Sequence, residues 1–175
     1  MNGHHFMLCI GLTGWVASLC PDFVAAQDIS QKNSEIVAAQ PVIPLARGFY
    51  LLRISGCNDC HTPGYAESGG QTPQAQWLTG NSVGFRGPWG TTFPTNLRLY
   101  MRQLSEMQWL QRARQPMRPP MPWFALRDMS DADLRAIYVA VRYLGPAGAP
   151  APAYVPPQQI PDAPYIDFVP QTSAR

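Results

Sequence analysis

The sequence predicts an all-α domain with long irregular loops, and three observations carry that expectation. Apolar residues recur with the helical period in separate stretches near residues 45–55, 97–115 and 130–144. Between the first two lies a segment, residues 62–95, with seven glycines, four prolines and no convincing period. At 175 residues with 46% hydrophobic and 14% charged side chains, the composition suits one globular domain, and no apolar run approaches the length of a membrane span.

Taken in order, the chain opens with a short apolar run from Phe6 to Cys20, and Val24-Ala25-Ala26 before Gln27 offers the small residues of a signal-peptidase site. Residues 1–26 are therefore expected to be a secretory signal, although its first region holds no Lys or Arg. An uncleaved anchor is the alternative. Leu19-Cys20-Pro21 lacks the small residue that precedes a lipidated Cys. Removing the leader takes away Cys9, Cys20, His4 and His5, so Cys57 and Cys60 become the only cysteines and His61 the only histidine. No disulfide of the ordinary structural kind is then expected. The remaining 13 basic and 10 acidic residues give +3, an excess too small to argue for nucleic acid.

Residues 27–44 are polar and loosely patterned and are expected to form an N-terminal arm. The first ordered element should run from about Leu45 to Ser55, with Leu45, Phe49 and Leu52 on one face. Gly48 costs helicity inside it, and its expected use is the close approach of another helix. Gly56 then turns the chain into Cys57-Asn58-Asp59-Cys60-His61.

That C-x-x-C-H run is the pattern that attaches a c-type haem. Residues three apart on a helical turn face the same side, roughly 5–6 Å between Cβ atoms. Two thiols so spaced reach the two vinyl groups of one porphyrin, and His61, directly after the second thiol, can swing beneath the ring to the iron. A thioredoxin-like dithiol needs a strand-then-helix context that the flanks do not supply. A zinc site needs a fourth ligand beyond Cys57, Cys60 and His61.

In the loop-rich segment a porphyrin could stand in for the missing apolar core, with Leu78, Phe85, Trp89 and Phe93 against the ring or its edge; ordinary loop packing is the alternative. A short helix is expected over Leu97–Gln103, capped by Asn96 or Thr95. Ser105-Glu106-Met107-Gln108 reads as a capping box for the next helix, which should run to about Gln115 before Pro116. Arg118-Pro119-Pro120-Met121-Pro122-Trp123 should be a stiff, extended strap. The last helix should start at the Ser130/Asp133 cap, bury Leu134, Ile137, Tyr138, Val141 and Leu144, and stop at Gly145-Pro146. Residues 146–175 form a Pro/Ala-rich extension carrying Tyr154, Tyr165, Ile166 and Phe168, more aromatic than a plain linker and so expected to pack back in part.

A haem iron with one histidine takes a second protein ligand or keeps an open face. Among the methionines, Met101 and Met107 fall in helices with core or surface roles, and Met129 can staple onto Leu134. Met121 lies in the proline strap with no such duty, so it ranks first as sixth ligand, followed by Met129 and Met117.

These features together resemble the class I c-type cytochrome family of bacterial periplasmic type: the entry helix with Gly48 and Tyr50, the Cys57–His61 run, Met121-Pro122-Trp123, and Met129-Ser130-Asp131-Ala132-Asp133-Leu134-Arg135-Ala136-Ile137-Tyr138. The likeness covers residues 45–145, the expected cytochrome domain. It implies a cytochrome c-like all-α fold with crossed N- and C-terminal helices around one haem c, two thioethers at Cys57 and Cys60, and iron ligation by His61 and Met121. Gly90-Thr91-Thr92-Phe93-Pro94-Thr95-Asn96 is similar to a loop in cytochromes that serve periplasmic dehydrogenases. The extension has no counterpart in that pattern.

The expected function is single-electron transfer in the periplasm between redox partner proteins: a dehydrogenase, an oxidase or another cytochrome. No catalytic residue and no transmembrane segment in the mature chain are implied. The alternatives are a haem enzyme or gas sensor with an open distal site, and an accessory haem subunit whose extension wraps a larger complex. Arg98, Arg102, Arg112, Arg114 and Arg118 cluster around one acid, Glu106. They are expected to form a solvated face, with one or two near haem propionates, rather than a docking face for an acidic partner.

Overall fold

The structure is a computed structural model that describes residues 42–170. The expected signal at 1–26, residues 27–41 of the expected arm and the last five residues of the extension lie outside the described residues.

Helix α1 (Val42–Ile54) buries Leu51 and Leu52 on one face and leaves Arg47, Tyr50 and Arg53 exposed on the other. Helix α6 (Asp131–Leu144) is amphipathic in the same way, with Leu134, Ala136, Ile137, Ala140 and Val141 buried. Its start is the expected cap, Ser130 Oγ accepting from Asp133 N at 3.1 Å. It ends at Gly145, whose φ of +68° is open to glycine. The two helices pack directly on each other, and Gly48 is where they meet. A Cβ there would sit 2.1 Å from Ala136 O and 2.7 Å from Ala140 Cβ, so only glycine permits this approach.

Three shorter helices complete that layer. Helix α3 (Leu97–Tyr100) is capped by Asn96 Oδ1, which accepts from Leu99 N at 3.1 Å, and continues as a 3-10 turn over Met101–Gln103. Helix α4 (Glu106–Ala113) carries the expected capping box, Ser105 and Gln108 bonding reciprocally. It is tied to α6 by Trp109 Nε1 donating to Leu134 O at 2.8 Å, while Tyr138 of α6 donates to Leu104 O at 2.8 Å. Helix α5 (Trp123–Asp128) was not expected; six residues are too few to show a period, and Pro122 just ahead of it sits where a missing N–H costs nothing.

The all-α expectation is overturned. Among the described residues the helices stand beside a three-stranded sheet in the order β2-β1-β3, so the class is mixed α/β. Strands β1 (Gly84–Gly87) and β2 (Gly90–Thr92) form an antiparallel hairpin with Phe85 opposite Thr92. Strand β3 (Tyr165–Asp167) comes from the C-terminal extension and pairs in parallel with β1, Gly84 opposite Tyr165. The physical reason it was missed is that strands of three or four residues are too short for an alternating pattern, and β3 pairs with a strand about 80 positions away along the chain. On its way to β3 the extension also bridges the hairpin: Thr91 N donates to Val155 O at 2.7 Å and Val155 N to Thr91 O at 3.0 Å.

Candidate functional site

The C-x-x-C-H residues form a single helical turn, α2 (Cys57–His61). Gly56 delivers the chain into it with φ +69°, and Asp59 lies close enough that a Cβ on Gly56 would be 3.1 Å from its carboxylate. The turn is locked from within. Thr62 N donates to Asn58 O at 3.0 Å, and Thr62 Oγ1 donates to the buried Asn58 Oδ1 at 2.7 Å. Thr62 Oγ1 also accepts from Leu78 N at 2.8 Å, and Leu78 O accepts from Leu97 N at 3.0 Å. Leu78 is fully buried and holds φ +61°, a conformation that leucine adopts only when its surroundings enforce it. Both its main-chain groups are enlisted in tying α2 to α3.

His61 is buried, and its Nδ1 lies 2.7 Å from Thr95 O. A carbonyl can only accept, so Nδ1 carries the proton and Nε2 keeps its lone pair. Nε2 has no hydrogen-bond partner among the described residues. Since no fully buried side-chain N or O among them lacks a partner, Nε2 is not completely enclosed. Burial lowers the pKa of the ring, against the opposing effect of the Thr95 hydrogen bond. The imidazole is thereby kept in the neutral form that ligates metals.

Both thiols are free. Burial pushes Cys57 up to about 11, reinforced by the Asp59 carboxylate and by Cys60; burial, then Asp59, also raises Cys60. Both shifts run opposite to the depressed pKa of a redox-active dithiol. Among the described residues no group of three or more His, Cys, Asp or Glu side chains is placed to hold a metal ion. Two thiols on one helical turn and a neutral imidazole oriented through Nδ1 are a donor set that fits a c-type haem.

Met121 lies half-buried in the strap, at the margin of the apolar core, and Met117 and Met129 share that rim. All three ranked methionines are thus partly buried against the core. Met101 is fully buried in the core and Met107 is exposed, as their helical positions suggest. The strap bends at Pro119-Pro120, Met121 N donating to Arg118 O at 3.3 Å, so it is not extended throughout.

Other expectations change. Phe85 meets Phe168 of the extension edge to face and Trp89 meets it at a tilt, with centroids 5.5 and 6.2 Å away, and Leu78 is enclosed by protein. The arginine cluster is not a uniform solvated face. Arg98 is buried and donates to Gly145 O at 2.5 Å, Ala75 O at 2.6 Å and Leu144 O, capping the end of α6. Arg114 donates to Leu126 O, Arg127 O and Met129 O and pairs with Asp131 at 2.6 Å. Arg112 reaches Gln115 O and Pro116 O, and Glu106 pairs with Arg135. Arg102 instead lines an open groove of about 570 Å³, with Phe93, Thr95, Leu99 and Pro150, that none of Cys57, Cys60, His61 or Met121 borders.

Thr95 as the acceptor for His61 was missed, since a main-chain carbonyl 34 residues away leaves no side-chain signal. No helix among the described residues is long and apolar enough to cross a membrane. Comparison of the chain with protein-family models, curated proteins and solved structures finds no match.

Proposed function

We propose that this chain is a secreted, periplasmic c-type cytochrome that carries single electrons between redox partner proteins. One haem c would be held by thioethers at Cys57 and Cys60, with His61 as proximal and Met121 as distal ligand. When bound, the haem supplies an iron that alternates between ferric and ferrous states. The rest of the work belongs to the chain. Thr95 holds the His61 proton at Nδ1 and orients the ring; Gly56, Asn58 and Thr62 keep the two thiols on one turn; the strap offers a soft thioether. A His/Met pair favours the ferrous state and raises the potential relative to many ligand sets.

The observation that carries this reading is the C-x-x-C-H turn with His61 neutral, anchored through Nδ1 and with Nε2 unpaired among the described residues. The partners would be a periplasmic dehydrogenase, an oxidase or another cytochrome, and no catalytic residue is assigned. The reading in which the extension wraps a larger enzyme is weakened by its pairing with this chain's own hairpin.

The test is an optical spectrum of the reduced, haem-loaded protein with and without carbon monoxide, for the native chain and Met121→Ala. The native protein should ignore the gas and the variant should bind it. Haem should remain attached through denaturation and be lost in the Cys57→Ala, Cys60→Ala double variant. Ready binding of carbon monoxide by the native protein would move the function toward sensing or catalysis at an open iron. Absence of covalent haem would defeat the cytochrome reading altogether.

A further inference from the structure

We infer that the C-terminal extension acts through Tyr154 as a positioning device for the strap that presents Met121. This rests on the proposed ligation by Met121 and goes beyond it, because it assigns a role to a segment that the cytochrome pattern leaves without one.

Two anchors hold the strap just ahead of Met121. The Arg118 guanidinium lies 4.2 Å above the centre of the Tyr154 ring. Thr92 Oγ1 donates to Pro119 O at 2.7 Å. These anchors share one support. Tyr154 donates its hydroxyl proton to Trp89 O at 2.8 Å, and the next residue, Val155, is paired in both directions with Thr91, the neighbour of Thr92.

Gly90 explains how the ring comes so near. It has φ +95°, and a Cβ there would fall 2.4 Å from Val155 O and 2.9 Å from the Tyr154 ring. The hairpin is therefore shaped to receive the extension. From this platform the strap has one short bend to make, closed by Met121 N on Arg118 O at 3.3 Å, with Trp123 N on Met121 O at 2.8 Å leading into α5.

A guanidinium over a phenol ring is weak when exposed and stronger when partly desolvated, and its direction is set by the flat face it covers. The rest of the strap around Met121 is proline and lacks main-chain donors: Pro119, Pro120 and Pro122 cannot be tied by N–H groups. Arg118 and the Pro119 carbonyl are consequently the handles by which the fold can set where the Met121 thioether stands. Both are gripped by the hairpin and extension together. Tyr154 is thus a positioning residue, acting on the ligand through Arg118 without touching the iron.

The experiment uses the full-length, haem-loaded protein with Tyr154→Leu, Tyr154→Phe and Arg118→Gln, beside the native chain and Met121→Ala. Two quantities are read: binding of carbon monoxide by the reduced protein, and amide exchange at Met121 N. Tyr154→Leu and Arg118→Gln should each raise Met121 exchange by about five- to tenfold, and each should admit the gas to a fraction of the molecules. Tyr154→Phe keeps the ring under Arg118 but loses the hydroxyl bond to Trp89 O, so it should fall between native and Tyr154→Leu on both. The Tyr154→Leu, Arg118→Gln double variant should add little to either single change, because one contact is broken in all three.

If native protein excludes the gas while Tyr154→Leu and Arg118→Gln match it in both quantities, the positioning role is overturned and Met121 ligation stands. If the native protein binds the gas as Met121→Ala does, ligation by Met121 fails and this inference falls with it. Should Tyr154→Leu not yield folded protein, Arg118→Gln decides alone, since it removes the contact from the strap side and leaves the extension intact.

Discussion

The α1/α6 pair and the β1-β2-β3 sheet are held together by opposite means. The helices meet at a glycine notch against the Ala136 main chain and the Ala140 side chain, and each buries apolar side chains, Leu52 on α1 and Leu134 and Val141 on α6. The sheet is held mainly by main-chain bonds to a segment from the far end of the chain: Gly84 N to Pro164 O at 2.8 Å and Phe168 N to Arg86 O at 2.7 Å. All three β3 residues are exposed. A packed side-chain interface is sensitive to one methyl group, whereas a ladder of main-chain bonds tolerates side-chain change and opens from its end. The two regions should therefore fail differently.

The largest effect is expected at the helix pair. Gly48→Ala gains helix propensity of up to about 1 kcal/mol. Against this, its methyl group would collide with the Ala136 main chain, and overpacking of this kind costs about 1–3 kcal/mol, sometimes more, when neighbours are backbone atoms. Urea denaturation should show a net loss of about 2 kcal/mol, and a variant as stable as native would mean the helices can separate without cost.

Next is Arg98→Leu, at the C-terminal end of α6, where three carbonyls lose their donor. The expected loss is about 2 kcal/mol or more by the same measurement. Arg98→Lys should not restore it, because one ammonium cannot reproduce the fork that spans Ala75, Leu144 and Gly145.

On the sheet, Phe168→Ala should cost about 1 kcal/mol, since it removes the edge contacts to Phe85 and Trp89 from a half-exposed ring. Amide exchange should rise at Gly84 and Phe168 while α1 and α6 keep their protection. Equal loosening of both regions would abolish the distinction drawn between them.

The smallest effect concerns pH. Asp133 is held below the ordinary carboxylate range by its hydrogen bond from Arg47, at 2.9 Å between α6 and α1, with burial opposing. Its stabilisation is present above the unfolded pKa and lost as pH falls through the folded one. Exposed pairs contribute little, so Asp133→Asn should only flatten the acid side of the stability curve slightly. A steep change there would show that the pair matters more than its exposure suggests.

The legible parts of the chain are those whose signal lies within a few residues. Gly48 inside an apolar period announces close helix packing, Ser105 and Gln108 form their box three positions apart, and Ser130 caps α6 from the adjoining position. Cys57, Cys60 and His61 carry their spacing in five residues. Helix α5 and the three strands are illegible because each is too short to repeat. Arg98 illustrates the limit best. As a charge in a basic cluster it reads as solvated, yet its guanidinium is buried because the end of α6 needs a donor that only the folded chain brings within reach.

What the sequence by itself determined is therefore local: the long helices with their caps and stops, the glycine notch, and a C-x-x-C-H pattern on one turn. The tertiary structure decided what depends on distant partners. It added a sheet to an otherwise helical domain and turned the extension back onto the hairpin. It also oriented His61 through the carbonyl of Thr95 and secured the strap of Met121 between Thr92 and Tyr154. Periodicity and capping are written in side chains a few positions apart, whereas main-chain carbonyls carry no residue identity and are assigned their partners only when the chain closes on itself.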